Sequence, residues 1–341
     1  MKRLRVGVLG AGWFASRRHI PDILADHCLE LAAICRRDKD ALQRMADAFH
    51  PSAVYTDWQQ MVETEMLDIA VISSPHSLHY PMAEATLKRG VHVLLEKPMT
   101  IRADHAEALH ALAQSRGLYL ATAYNPPFWA HCDLLRNRIS EGRLGALESI
   151  SMYWTGNASY VFGEAPKPDN LPGTVPPTLF RADPEQCGGG YLIDGGSHLI
   201  SELLWVTGLR AERVSCWMDN PVSDRRSVLS VVLENGAVAS INCVGDSLHG
   251  ERRVRNVFGG SRGTATVDGF DFATEIRVKG CLPETFRENE LPQPAGPLAN
   301  LVEAVRKGSP LRSGSQHGVQ VTRLIEAASV SAREKRWVEI Q

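Results

Sequence analysis

Over its first 124 residues the chain alternates short apolar runs with longer amphipathic stretches. Residues 4–9, 29–35, 69–73, 92–95 and 119–123 are dense in Leu, Val, Ile and Ala and of strand length, which predicts buried strands. Between and after them, residues 13–24, 39–49, 80–88, 103–114 and 133–140 place apolar side chains at helical spacing. The first of these helices contains Pro21, which is expected to bend or end it. Alternation of strand and helix implies a parallel sheet with helices on both faces.

Past Gly145 the pattern changes. Residues 147–154 predict a longer strand, and 155–187 are rich in Pro and Gly without a period, which predicts a long loop. Residues 191–206 have helical spacing. Strands follow at 214–218, 228–233, 237–243, 254–258 and 264–267. The pair 228–233 and 237–243 is joined by Glu234-Asn235-Gly236, a strong hairpin signal. Helices at 298–306 and 319–332 and a short strand at 337–340 close the chain. This half reads as an α+β arrangement with a mostly antiparallel sheet.

Composition narrows the function classes. The 341 residues suffice for two domains, and 44% hydrophobic residues are ordinary for a chain that buries a core. A net charge of -2 without a basic run argues against nucleic acid as a partner. Seven scattered cysteines, never spaced C-x-x-C, fit reduced thiols better than a disulfide framework or a zinc site, and no metal is expected. No signal-like or spanning apolar stretch stands out, so no membrane partner and a cytoplasmic location are expected.

Four segments carry chemistry. Gly10-Ala11-Gly12-Trp13-Phe14-Ala15 is a G-x-G-x-x-A between a strand and a helix. Its glycines permit a tight turn and close approach of a pyrophosphate to the helix N-terminus. After the second predicted strand stands Cys35-Arg36-Arg37-Asp38. A carboxylate there binds the ribose 2′-hydroxyl of NAD, and arginine accommodates the 2′-phosphate of NADP. Arg36 and Arg37 favour NADP, and Asp38 leaves NAD open. Glu96-Lys97-Pro98 follows the fourth strand, where ligands of open α/β sheets bind, and an X-Pro bond there can be cis. Finally, 188–198 reads GGGYLIDGGSH. Asp194 and His198 are four apart and share a helical face. Gly195 and Gly196, poor helix formers, suggest that something approaches the backbone closely. Taken alone, Asp194 and His198 read better as a helix cap and a satisfied core histidine.

Together and in this order, these segments resemble the glucose-fructose oxidoreductase / inositol dehydrogenase / rhizopine catabolism (Gfo/Idh/MocA) family over essentially the whole chain. Ser74-Pro75-His76-Ser77-Leu78-His79 is similar to the family's T-P-x-x-x-H, and Gly90-Val91-His92-Val93-Leu94-Leu95-Glu96-Lys97-Pro98 to its G-x-H-V-x-x-E-K-P. Phe180-Arg181, leading to Gly188, Asp194 and His198, fits as well. The resemblance implies an α/β protein with an N-terminal Rossmann dinucleotide-binding domain, 1–124, and a C-terminal α/β domain, 125–341, with an open, mostly antiparallel sheet. The final segment could pack back on the Rossmann domain.

The resemblance also implies an oxidoreductase acting on a sugar or cyclic polyol. His198 would take the hydroxyl proton, Lys97 would bond the same oxygen, and Asp194 would hold a neighbouring hydroxyl. The expected cofactor contacts are Gly10, Ala11, Gly12, Trp13, Phe14, Arg36, Arg37, Ser74, Pro75, His79, Glu96, Lys97 and Asn125. Tyr153 and Arg181 join Lys97, Asp194 and His198 as expected substrate contacts. The open sheet face implies a homodimer or homotetramer. The chain departs from the pattern at Arg36, at Pro126-Pro127-Phe128 and at Glu202, the last read as structural. Two other functions fit the scaffold: an NAD-dependent glycosidase and a non-catalytic NADP-binding sensor.

Overall fold

The computed structural model describes residues 2–248, 253–269 and 271–340. They fall into two compact units, each discontinuous in sequence. The first comprises Met1–Ala123, Tyr160–Gly188 and Pro297–Val319; the second comprises Tyr124–Ser159, Gly189–Gly296 and Gln320–Gln341.

In the first unit six strands form one sheet: β1 (Leu4–Leu9), β2 (Leu29–Cys35), β3 (Ala53–Tyr55), β4 (Ile69–Ile72), β5 (His92–Leu95) and β6 (Leu120–Thr122). Their spatial order is β3-β2-β1-β4-β5-β6 and every pairing is parallel. This is the doubly wound Rossmann order, in which the direction of winding reverses at β1/β4 and leaves a crevice at the strands' carboxyl ends. The strands are apolar almost throughout because helices cover both faces. These are α1 (Ile20–Ala25), α2 (Lys39–Phe49), α3 (Trp58–Thr64), α4 (His79–Lys88) and α5 (Ala103–Ser115). Val6, Val8, Ile34, Val71 and Leu94 head one buried cluster, and Leu9, Ile72, Val93 and Leu95 head another. Period alone left β3 and α3 unread: β3 has three residues, too few to show alternation.

Pro21 does not break its helix. A π-turn over Ala15–His19 precedes α1, and Pro21 lies in the first turn of α1. The π-turn runs on into α1 with His19 itself helical (φ -64°, ψ -45°), and such a widened turn accommodates the hydrogen bond that the proline cannot make.

The second unit is built on a nine-stranded sheet of β7 (Leu147–Thr155), β8 (Ala211–Met218), β9 (Arg226–Leu233), β10 (Val238–Val244), β11 (Arg253–Gly260), β12 (Gly263–Asp268), β13 (Ala273–Val278), β14 (Glu284–Phe286) and β15 (Val338–Glu339). The order is β14-β13-β12-β11-β7-β10-β9-β8-β15. Only β7 and β10 pair in parallel. The β9–β10 hairpin turns where Asn-Gly predicts it, with Gly236 at φ 84° and Asn235 Oδ1 accepting from Ala237 N.

Helices α6 (Ala130–Ser140) and α8 (Ser197–Thr207) belong to this unit. The short α7 (Pro184–Cys187) and α9 (Pro297–Lys307) belong to the first, and α10 (Ser315–Glu334) begins in the first and ends in the second. Every residue of α8 except His198 is buried, including the polar Ser197, Ser201, Glu202 and Thr207. The sheet's other face is exposed. Register aligns Ser215, Ser230, Ser240 and Ser151 in one row, and Trp217, Val228, Asn242 and Tyr153 in the next.

Candidate active site

In the first unit the glycine turn is shaped by its neighbours. Gly10 sits at φ 83°, and a Cβ there would lie 2.6 Å from Ser73 O, so only glycine fits. Ala15, the third small residue, is fully buried. The side chain of Arg36 folds back over the turn, Nη1 donating to Ala11 O at 3.2 Å. Its Nε is buried and, among the described residues, has no hydrogen-bond partner. Arg37 points to solvent, and Asp38 is occupied as the N-cap of α2, Oδ1 accepting from Ala41 N at 2.9 Å. That backbone bond, with Arg36 nearby, holds its carboxyl below the usual range.

Trp13 stands half-buried beside this turn, its indole N–H donating to Pro172 O at 2.7 Å and its ring stacked under Arg17 at 4.8 Å. The segment expected to be a free loop is therefore anchored here. Thr174 N donates to Ser16 Oγ, Val175 enters the core, and Gly173 passes so close that a Cβ would lie 2.9 Å from the Trp13 ring. The rest of the loop contains a 3₁₀ turn, Phe180–Ala182, and α7. Arg181 stacks on Phe180, 4.5 Å from its ring.

Lys97 follows β5 and is half-buried; its bond to Pro98 is cis. Buried neighbours hold its backbone. Glu96 Oε2 accepts from Lys97 N at 3.1 Å, and Glu96 Oε1 meets His19 Nε2 at 2.7 Å. Burial opposes the charge on Glu96, but the His19 contact and the Lys97 charge outweigh it and keep the carboxyl below its ordinary value. His79 is wholly buried, with Nδ1 2.8 Å from Pro98 O and Nε2 3.1 Å from Ser74 O. Burial pushes its pKa down, and a neutral ring donates to only one of those carbonyls. Glu96 and His79 thus spend their polar atoms on the chain rather than presenting them to a ligand. Ser74 is itself buried, while Pro75 caps the 3₁₀ turn after it.

In the second unit a π-turn, Leu192–Gly196, runs directly into α8. Asp194 lies in the turn and His198 one residue into the helix. Such widened turns recur at functional sites. The close approach expected at its glycines is made by the protein itself. A Cβ at Gly195 would lie 2.5 Å from the Tyr191 ring, and one at Gly196 3.0 Å from Cys243 Sγ. Gly190 meets the Asp224 backbone, at 2.1 Å from a would-be Cβ. Asp224, which the sequence pattern did not single out, anchors this entry. Its backbone O accepts from Tyr191 N at 2.7 Å and Oδ2 from Leu192 N at 2.9 Å. Burial pushes its carboxyl up to about 6.

His198 is half-buried among aromatic rings: Tyr124 at 6.3 Å, Trp129 at 6.4 Å and Trp154 at 6.5 Å. Tyr153 is not among them. Alternation along β7 puts it on the exposed face and Trp154 on the buried face with His198. Of the two neighbours, the sequence reading chose the wrong side of the strand. Asn125 is exposed ahead of the 3₁₀ turn Pro126–Phe128. The buried thiols are poor nucleophiles, Cys35 and Cys216 both being pushed up to about 12 by burial.

A glycine turn in a cradle no Cβ could share, at the switch point of a Rossmann sheet, defines a dinucleotide-binding α/β protein. The oxidoreductase family with an NAD-binding Rossmann fold matches residues 4–124, and the Gfo/Idh/MocA C-terminal domain matches residues 133–266. The chain belongs to this oxidoreductase family. A dTDP-3,4-didehydro-2,6-dideoxy-alpha-D-glucose 3-reductase of Streptomyces antibioticus is 35% identical over 60% of the chain and 57% of the reductase. A scyllo-inositol 2-dehydrogenase (NADP(+)) of Bacillus subtilis is 24% identical over 99% of the chain and 96% of that enzyme. A D-glucoside 3-dehydrogenase of Escherichia coli is 29% identical over 61% of the chain and 55% of that enzyme. In fold, an oxidoreductase domain protein from Kribbella flavida superposes with a TM-score of 0.86 at 22% identity, covering all of both chains. A levoglucosan dehydrogenase in complex with NADH does so with a TM-score of 0.82 at 17% identity, again covering all of both.

Proposed function

We propose that the protein transfers a hydride between NADP and a hydroxyl-bearing carbon of a sugar or cyclic polyol. The observation that carries the reading is the retention of Lys97, Asp194 and His198 in a member of this family. Lys97 follows a strand end of the Rossmann sheet, and the other two share one turn of the second unit. The residues fit the cofactor. Gly10, at φ 83°, permits the tight turn after β1 that a pyrophosphate site requires, and Arg36 brings a half-buried guanidinium with an unsatisfied Nε to the turn. NADP is preferred to NAD because Arg36 stands where a ribose-binding carboxylate would, and Asp38 is committed to capping α2. The bound nicotinamide supplies the hydride acceptor or donor.

The chain's own residues do the rest. His198, in its aromatic surround, takes the hydroxyl proton. Lys97 donates to the same oxygen and stabilises its developing negative charge. Asp194 accepts from an adjacent hydroxyl. Glu96, His19 and His79 fix the Lys97 backbone so that its amine is delivered without reorganisation.

We also assign the exposed face of the nine-stranded sheet to self-association as a dimer or tetramer. Its serine row is flat and is flanked by Val238, Trp217 and Trp337, and a shallow groove of ≈ 480 Å³ runs across it.

The direct test titrates NADP and NAD separately into the purified protein. A panel of sugars, glycosides and inositols is then added while the absorbance of reduced nicotinamide is followed. NADP binding with absorbance rising on one polyol supports the reading. Cofactor binding with no change across the panel sinks it in favour of a glycosidase or a sensor.

A further inference from the structure

Apart from the residues assigned above, the second unit buries a group of four polar side chains from three separate segments. His131 and Cys132 come from α6, Glu202 from α8 and Asn256 from β11, and all four are at most 1% exposed. One ligand atom from each of His131, Cys132 and Glu202 lies within 4.8 Å of the others, with Cys132 Sγ 3.3 Å from His131 Nε2. Asn256 Nδ2 donates to Glu202 Oε1 at 2.6 Å. Among the described residues, nothing donates to Glu202 Oε2 and nothing engages Asn256 Oδ1. A buried carboxylate oxygen and a buried amide oxygen left in this way are costly unless something positive sits against them.

The other side of the histidine is settled. Glu288 accepts from His131 Nδ1 at 2.8 Å and also from the backbone N–H groups of Ala130 and His131. With Nδ1 carrying the proton, the Nε2 lone pair faces Cys132 and Glu202. A carboxylate bonded to the far nitrogen of an imidazole is the arrangement that orients metal-ligating histidines. The ring is clamped as well, stacked on Phe272 at 4.4 Å and on Trp129 at 5.6 Å. Burial disfavours the charge on Glu202 and pushes its carboxyl above the ordinary value, and Glu288 adds to that cost.

We propose that His131 Nε2, Cys132 Sγ, Glu202 Oε2 and Asn256 Oδ1 form a closed structural site for one divalent cation of zinc type. The donor set of one imidazole, one thiolate and two oxygens suits a borderline ion rather than magnesium or calcium. A dication between a thiolate and a carboxylate leaves the cluster neutral, the condition a dry interior tolerates. With every donor from the protein and no open position, the ion joins α6, α8 and β11 and takes no part in hydride transfer. Its donors are scattered between positions 131 and 256, which is why no metal-like spacing marks it in the sequence.

The test uses the full-length protein produced with zinc in the medium. The expected content after desalting is about one zinc per chain. Protein stripped with chelator should melt at a lower temperature and, on adding Co²⁺, develop a near-ultraviolet thiolate-to-cobalt charge-transfer band. Cys132→Ser should lose that band, and Glu288→Gln, one contact removed from the ion, should bind Co²⁺ about ten- to a hundredfold more weakly. Background zinc with no band in the unaltered protein overturns the proposal and leaves Glu202 protonated instead. A band that persists in Cys132→Ser overturns it too. The unaltered protein decides the question even if a variant fails to fold.

Discussion

In the function proposed above, Arg36 is the side chain that decides between NADP and NAD. Its guanidinium is tethered to Ala11 O over the glycine turn, whereas Arg37 is solvated and Asp38 caps a helix. Replacing Arg36 with Asp should raise the Kd for NADP by about a hundredfold, the scale of a lost charged hydrogen bond, and change NAD binding far less. Equal losses for both would remove the 2′-phosphate assignment. Lys97→Ala should lower kcat by about two orders of magnitude while cofactor affinity, read by titration, holds. Unchanged turnover would take Lys97 out of the reaction. The glycine turn at Gly10 and the candidate residues Lys97, Asp194 and His198 could be picked out from the sequence because each stands in a contiguous motif. What was not legible depended on which side of an element a residue faces or on partners far along the chain. Tyr153 and Trp154 are neighbours with opposite fates, and His19 meets Glu96 only in the folded chain.

Among the elements, the π-turn ahead of α8 depends most on its surroundings. Its glycines make room for Tyr191 and Cys243, and its entry hangs on Asp224. The folded-state carboxyl of Asp224 is pushed up to about 6, above its unfolded value, because burial disfavours its charge. Folding therefore prefers the protonated form. The contribution of this group is full at low pH and is lost as pH rises through about 6. A shift of that size corresponds to about 3 kcal/mol. Asp224→Asn keeps an acceptor for Leu192 N without the ionisation. Relative to the unaltered protein, it should gain stability on going from acid to neutral pH, measured as the difference in denaturant midpoint. A difference that does not vary with pH would show that Asp224 does not titrate in this range. Strands and helices with several turns were readable from period, whereas the π-turns were not, since the apolar spacing of one turn does not tell a π-turn from an α-turn.

At the scale of the whole molecule, the two exposed rows of the nine-stranded sheet are the largest statement about assembly. Val238 is 54% exposed and Trp217 58%. If the proposed self-association uses this face, Val238→Lys, which places a charge beside the serine row, should leave monomers as read by sedimentation, with the circular dichroism of the unaltered protein retained. An unchanged assembly mass would move the interface elsewhere. Among the described residues, no helix is long and apolar enough to cross a membrane.

The discontinuity of the two units bears on how the chain comes to exist at all. The Rossmann sheet is complete by Thr122, but its unit also takes in residues 160–188 and 297–319, and the other unit gathers segments as far apart as 124–159 and 320–341. Strand β7 is made early, yet its neighbours on both sides, β10 and β11, begin only at Val238 and Arg253. During synthesis it waits with both edges bare, a state that invites pairing with other chains. The interval before β10 and β11 are made is when the second unit is most exposed to aggregation.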